Sequence, residues 1–199
     1  MLNKKTALPG KRFTMEKCAA APRAFFPRRI VLALLLAQPL TASAVEPAAT
    51  AIEFYNTDLK HYFVTADSGE AAGIDAGAAG PGWRRTGASF HVWANGHEVP
   101  GLVPVCRFYG TPGVGPNSHF YSASSAECET LRQDPGWLDE GIAFYISAPT
   151  LAGCPSGTTA VYRSYNNGYL RNDSNHRYTI DYSLWAKMGT EGHSPEGVA

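Results

Sequence analysis

Arg107-Phe108-Tyr109-Gly110, His119-Phe120-Tyr121-Ser122, Gly136-Trp137 and Glu140-Gly141-Ile142-Ala143-Phe144 decide the fold, because versions of this order stand on both sides of it. Upstream it reads Glu53-Phe54-Tyr55-Asn56, His61-Tyr62-Phe63-Val64, Gly82-Trp83 and Thr86-Gly87-Ala88-Ser89-Phe90. Downstream it reads Arg163-Ser164-Tyr165-Asn166, His176-Arg177-Tyr178-Thr179 and Glu196-Gly197-Val198-Ala199. Tyr55, Tyr109 and Tyr165 are 54 and 56 apart, and His61, His119 and His176 are 58 and 57 apart. Such regularity marks three copies of one unit, about residues 52–94, 104–147 and 160–199.

Within each copy two runs rich in β-branched and aromatic residues flank a turn, which predicts a hairpin. A helix follows: Asp67 with Glu70, and Ser124 with Glu127, have the spacing of a capping box, and Gly80-Pro81-Gly82 and Pro135-Gly136 stop the helices. A closing strand completes the first two copies. In the third, only Val198 and Ala199 follow Gly197, so the closing strand is expected to be missing or supplied by another chain. A hairpin, short helix and strand cannot bury their aromatic face alone, so the copies must pack together. The expected fold is α+β and β-rich: three hairpin-helix-strand repeats in a compact pseudo-threefold domain. A β-trefoil is the alternative, weakened by the helices.

The first 44 residues read as an export signal, with a basic leader ending at Arg28-Arg29, an apolar run from Ile30 to Leu36, Pro39 and the small-residue end Ala42-Ser43-Ala44. The run is far shorter than the roughly 20 residues a bilayer span needs. Eight of the 17 basic residues and one of the 17 acidic residues lie in this leader, which leaves nine basic against 16 acidic groups in residues 45–199. An acidic domain without a basic cluster is unsuited to nucleic acid or to an anionic membrane. A secreted or periplasmic location follows, and in an oxidising compartment Cys106 and Cys128 are the expected disulfide, since both lie in the middle copy. Cys154 is left over, giving a monomer or a Cys154-linked dimer.

The order of R-x-Y-N, H-x-Y-T, a short helix, G-W and E-G-x-A-F resembles the DUF5648 repeat family, a bacterial family of unknown function, over about residues 52–199. The resemblance implies an exported accessory or binding role, and it supplies no catalytic residues. In similar sequences the third copy usually continues through a closing strand bearing a cysteine, where a partner for Cys154 would be natural; this sequence stops short of it.

The recurring histidines are the sharpest chemical feature. Three imidazoles about an axis would suit a metal with one open position, but spacing does not show that they converge. Strand alternation places Phe63, Tyr121 and Tyr178 on the same face as His61, His119 and His176, which favours histidines packed beside aromatics, with ligand contact as the other role. No metal or other cofactor is assigned. Trp83 and Trp137, with Tyr55, Tyr109 and Tyr165, offer apolar faces with polar edges suited to sugar rings, although their recurrence at one structural position fits a core role better. Tyr62 and Phe120 alternate to the opposite face and are expected to be exposed. The sequence contains no nucleophile elbow, no His-Glu-x-x-His, no phosphate loop and no dinucleotide fingerprint. Glu140 and Glu196 read as turn or cap residues, because Thr86 stands in their place in the first copy. The expected function is therefore a non-catalytic exported module that binds an envelope or extracellular polysaccharide. The alternative is a structural or protein-interaction domain without a small ligand.

Overall fold

The computed structural model describes residues 49–97, 99–151 and 153–199. The expected export signal lies outside them. Among the described residues, nine strands form three small sheets accompanied by three α-helices, a β-rich fold compatible with the α+β class. The first sheet holds β1 (Ala49–Asn56), β2 (His61–Thr65) and β3 (Trp83–Val92), in the order β2-β1-β3. The second holds β4 (Leu102–Gly110), β5 (His119–Ser122) and β6 (Trp137–Ser147), and the third β7 (Tyr162–Tyr165), β8 (His176–Thr179) and β9 (Ser194–Val198), each with the hairpin's first strand in the middle. All neighbouring strands are antiparallel. Between the hairpin and the closing strand lie α1 (Ser68–Asp75), α2 (Ser125–Arg132) and α3 (Tyr182–Thr190). Among the described residues, no helix is long and apolar enough to cross a membrane.

The first two helices start where the sequence predicts, and Asp67, Ser124 and Asp181 each accept a hydrogen bond from the backbone N–H three residues on. The cap residues' own N–H groups bond to the hydroxyls of Thr65, Ser122 and Thr179 at 3.0, 3.0 and 3.1 Å. The capping-box partners Glu70 and Glu127 therefore do not bond the cap N–H groups; Glu127 instead accepts from the Ser122 hydroxyl, and both glutamates reach an arginine of the next sheet.

The second strands of the three hairpins meet at the centre. The Tyr178 hydroxyl donates to the Tyr121 carbonyl at 2.8 Å and accepts from the Tyr121 N–H at 2.9 Å, while the Tyr121 hydroxyl donates to the Val64 carbonyl. Burial pushes both phenols above their ordinary range, which keeps them neutral donors. Val64, Tyr121 and Tyr178 share one apolar core with Phe54, Phe63, Phe90 and Phe144, so all three sheets contribute to it.

Three expectations are corrected here. The third sheet has its own closing strand: β9 pairs with β7 from Ser194 to Val198, and the Ala199 N–H extends the pairing to the Val161 carbonyl at 2.9 Å. The three histidines do not occupy one register. His119 stands opposite Tyr109 and His176 opposite Tyr165, but His61 stands opposite Asn56, and it is Tyr62 that faces Tyr55. The first hairpin closes over residues 57–60, whereas Gly110 bonds to Ser118 across residues 111–117 and Asn166 to Asn175 across residues 167–174. Near-equal chain spacing thus hides a one-residue slip, which turns the side chain to the other face of the strand. Finally, Phe120 is not exposed. It is 6 % accessible, because β5 is covered on both faces where the second and third sheets meet.

The second and third helices are tied to their sheets by different chemistries. The second sheet has the Cys106–Cys128 disulfide, as predicted, joining β4 to α2. In the third, Tyr162 on β7 stacks against Trp185 on α3 with ring centroids 5.2 Å apart. Cys154 is half-buried and stands outside the disulfide. Replacing Cys128 with Ala removes the tie across 22 residues and is expected to cost about 3 kcal/mol on the loop-entropy account. Thermal unfolding checks this: the variant should melt at the temperature of the reduced wild type, well below the oxidised protein.

Candidate functional site

The groups that position the site are the charges between sheets. Arg107 on β4 places Nη1 2.8 Å from Glu70 on α1 and Nε 2.9 Å from Glu140 on β6. Arg163 on β7 does the same one sheet later, with Nη1 3.0 Å from Glu127 on α2 and Nε 2.8 Å from Glu196 on β9. Each guanidinium also lies over an aromatic ring of the preceding sheet, Arg107 at 5.8 Å from the Phe63 centroid and Arg163 at 5.0 Å from that of Phe120. Between the third sheet and the first the polarity is reversed. Glu53, two residues before Tyr55 where the other sheets carry arginine, receives Arg177 from β8 through two contacts of 2.8 Å, and the Thr86 hydroxyl donates to it at 2.7 Å. Arg177 lies 4.3 Å above the Tyr62 ring.

The histidines take their places from this frame. His119 lies between Phe63 and Tyr109, at centroid distances of 4.6 and 4.8 Å, with Nε2 3.3 Å from Glu140. His176 lies between Phe120 and Tyr165, at 4.9 and 4.8 Å, with Nε2 3.3 Å from Glu196. His61, buried and one position out of step, places Nδ1 2.9 Å from the Asn117 carbonyl and Nε2 2.7 Å from Asp173. The three Nε2 atoms therefore face three different carboxylates. Among the described residues, no group of three or more His, Cys, Asp or Glu is arranged to hold a metal.

Glu140 and Glu196 are more than turn residues. The hydrogen bond from His119, helped by Arg107, holds the Glu140 carboxyl below its ordinary value. For Glu196 burial pulls upward, but His176 and Arg163 outweigh it and the net direction is again down.

A cleft of about 460 Å³ opens between the first and second sheets. Asp58, Pro81 and Trp83 line it from the first sheet and Tyr109, Asn117, His119 and Glu140 from the second. Asn56 shapes its floor: its side-chain carbonyl accepts from the N–H groups of Asp58 and Leu59 at 2.9 Å, and its amide donates to the Pro81 carbonyl at 3.0 Å. Gly82 has φ 87°, and a Cβ there would lie 2.6 Å from Asn56 Oδ1, so only glycine lets the chain enter Trp83 beside these groups. The Tyr109 hydroxyl donates to Asn117 Oδ1 at 2.7 Å and fixes the opposite rim.

Of the residues singled out from sequence, Trp83 and His119 line this cleft. Trp137 packs beside Phe120, with centroids 6.0 Å apart, at the junction that also holds His176. Tyr62 is half-buried between Tyr55 and Arg177, and His61 is enclosed. Sequence reasoning named Tyr109 as a possible sugar platform but missed Asp58, Asn117 and Glu140 as cleft residues. The signal available for Tyr109 and Glu140 was their recurrence in the repeat, which carries no information on which of two sheets they face.

The chain matches the family described as Domain of unknown function (DUF5648) over residues 50–199 and belongs to it. Neither the search of curated proteins nor that of solved structures gave a match.

Two outcomes are expected from the charge frame. Glu53 is 2 % exposed and its partner Arg177 11 %. Replacing Glu53 with Gln leaves a buried cation short of its partner and should cost about 3 kcal/mol, measurable by urea unfolding, with much of the loss recovered in Glu53→Gln/Arg177→Met. On the acid side, carboxyls held low in the folded state contribute stability fully above their ordinary value of 4.5 and lose it as the pH falls through their lower folded values. Melting temperature should therefore start to fall below about pH 4.5. Glu140→Gln/Glu196→Gln should flatten that fall.

Proposed function

We propose, from membership of DUF5648 and the cleft between its first two sheets, that this protein is an exported, non-catalytic module that binds a carbohydrate polymer of the envelope or the extracellular medium. The three sheets are then copies of one unit about a pseudo-threefold axis, each ion-paired to the next. The observation that carries the reading is the cleft itself: an indole and a phenol on opposing sheets, with amide, imidazole and carboxylate groups between them. Aromatic faces with nearby hydrogen-bonding groups suit a pyranose ring, which presents C–H groups on its face and hydroxyls at its edge.

The same residue types recur where the second and third sheets meet: Trp137, Tyr165, His176 and Glu196, with His176 stacked on Tyr165. A second subsite along one polymer would raise avidity without any new kind of contact. The acid and imidazole of each set support binding over catalysis, because Glu140 and Glu196 are each already engaged by an arginine and a histidine.

A protein-interaction role is the second reading, and exposed apolar side chains favour it. Val114, Tyr169 and Leu170 are 60, 70 and 94 % accessible on two hairpin loops that are tied together by Asn172 Nδ2 donating to the Gly115 carbonyl at 3.0 Å. Pull-down on insoluble polysaccharides and a soluble glycan array decide between the two. The wild type should be retained, and Trp83→Ala and Tyr109→Ala should each weaken retention at least about fivefold, the loss of roughly 1–3 kcal/mol expected for an aromatic contact. Folded protein that retains no glycan but captures a protein partner through Tyr169 and Leu170 would replace the first reading with the second.

A further inference from the structure

The charges around the cleft go further and select a sugar chemistry. Two carboxylates line it, and neither lysine nor arginine does. The two acids differ. Glu140 Oε2 is already held by Arg107 Nε at 2.9 Å and His119 Nε2 at 3.3 Å. Asp58 is exposed, and among the described residues its hydrogen bond is a long one, 3.3 Å from the Thr57 hydroxyl, with no ion pair to a cationic side chain within 4.0 Å. Lys60 stands two residues away, yet its Nζ donates to the Thr57 carbonyl instead.

Position adds to this. A Cβ on Gly82 would lie 2.9 Å from Asp58 Oδ2, so the carboxylate sits against the glycine that leads into Trp83. An aromatic face and an uncompensated carboxylate thus stand side by side in one cleft, in a chain whose residues 45–199 carry 16 acidic against nine basic groups. Such a field draws in polycations and repels polyanions.

Resting on the glycan reading, we infer that the cleft selects a polymer of hexosamine units that carry a free amino group. The pyranose face packs on Trp83, the ammonium pairs with Asp58, and ring hydroxyls meet Asn117 and His119. Uronic-acid polymers are rejected by the same carboxylate.

Titration calorimetry with three oligosaccharides of equal length tests this: a β-1,4-linked glucosamine tetramer, its fully N-acetylated counterpart and a tetra-uronate. The free amine should bind about fivefold more tightly than the acetylated tetramer, the range an exposed ion pair yields, and the uronate should not bind. Asp58→Asn should erase the preference, and Trp83→Ala should lose both ligands. Equal or tighter binding of the acetylated or uronate tetramer overturns the inference while the glycan reading stands. So does a preference that survives Asp58→Asn, or tighter binding of a lysine peptide than of the aminosugar. If a protein shown to be folded by circular dichroism binds none of the three sugars, the glycan reading fails and this inference with it.

Discussion

A guanidinium shared by two carboxylates joins the first sheet to the second, and another joins the second to the third. Burying an arginine is costly unless its charge is paired, and here one carboxylate comes from the preceding helix and the other from the arginine's own sheet. The consequences spread outward. Because Glu140 must meet Arg107, it is also within reach of His119, and the imidazole is then clasped between Phe63 and Tyr109. The wall of the cleft is therefore a by-product of the joint between sheets. The same sequence of causes places His176 between Phe120 and Tyr165.

Much of the fold was legible because it follows from local rules. Alternation and turn residues gave the hairpins, Asp67 and Ser124 gave the helix starts, and the placement of Cys106 and Cys128 gave the disulfide. What failed was register. Loop length shifts a strand by whole residues, and the four-residue turn after Asn56 moved His61 out of line with His119 while leaving the chain spacing almost unchanged. Glu70 and Glu127 misled differently. Their spacing from Asp67 and Ser124 fits a local cap, but Thr65 and Ser122 already satisfy the cap N–H, and the glutamates serve the neighbouring sheet. Phe120 was read as exposed because alternation gives one solvent face, which does not hold for a strand covered on both.

The candidate site was half legible. Trp83 and Trp137 recur at one place in the sequence, yet only Trp83 borders the large cleft. The difference lies in the second hairpin loop. A Cβ on Gly115 would lie 2.0 Å from the Gly136 carbonyl, so that loop rests directly on the backbone leading into Trp137, and Asn172 of the third sheet pins it there. The first hairpin turns in four residues and leaves Trp83 with an open side. The size of a loop, rather than the identity of the aromatic residue, decides how widely each platform opens.

The reversed charge between the third and first sheets gives the assembly an address. A stack joined by identical head-to-tail contacts has no internal reason to stop at three, and its last member would accept the first member of another chain as readily as its own. Here a third sheet presents Arg177, which only a Glu53-bearing sheet can answer, whereas the other two sheets present Arg107 and Arg163 at that place and would repel it. The mismatch sets the contact between the third and first sheets apart from the other two.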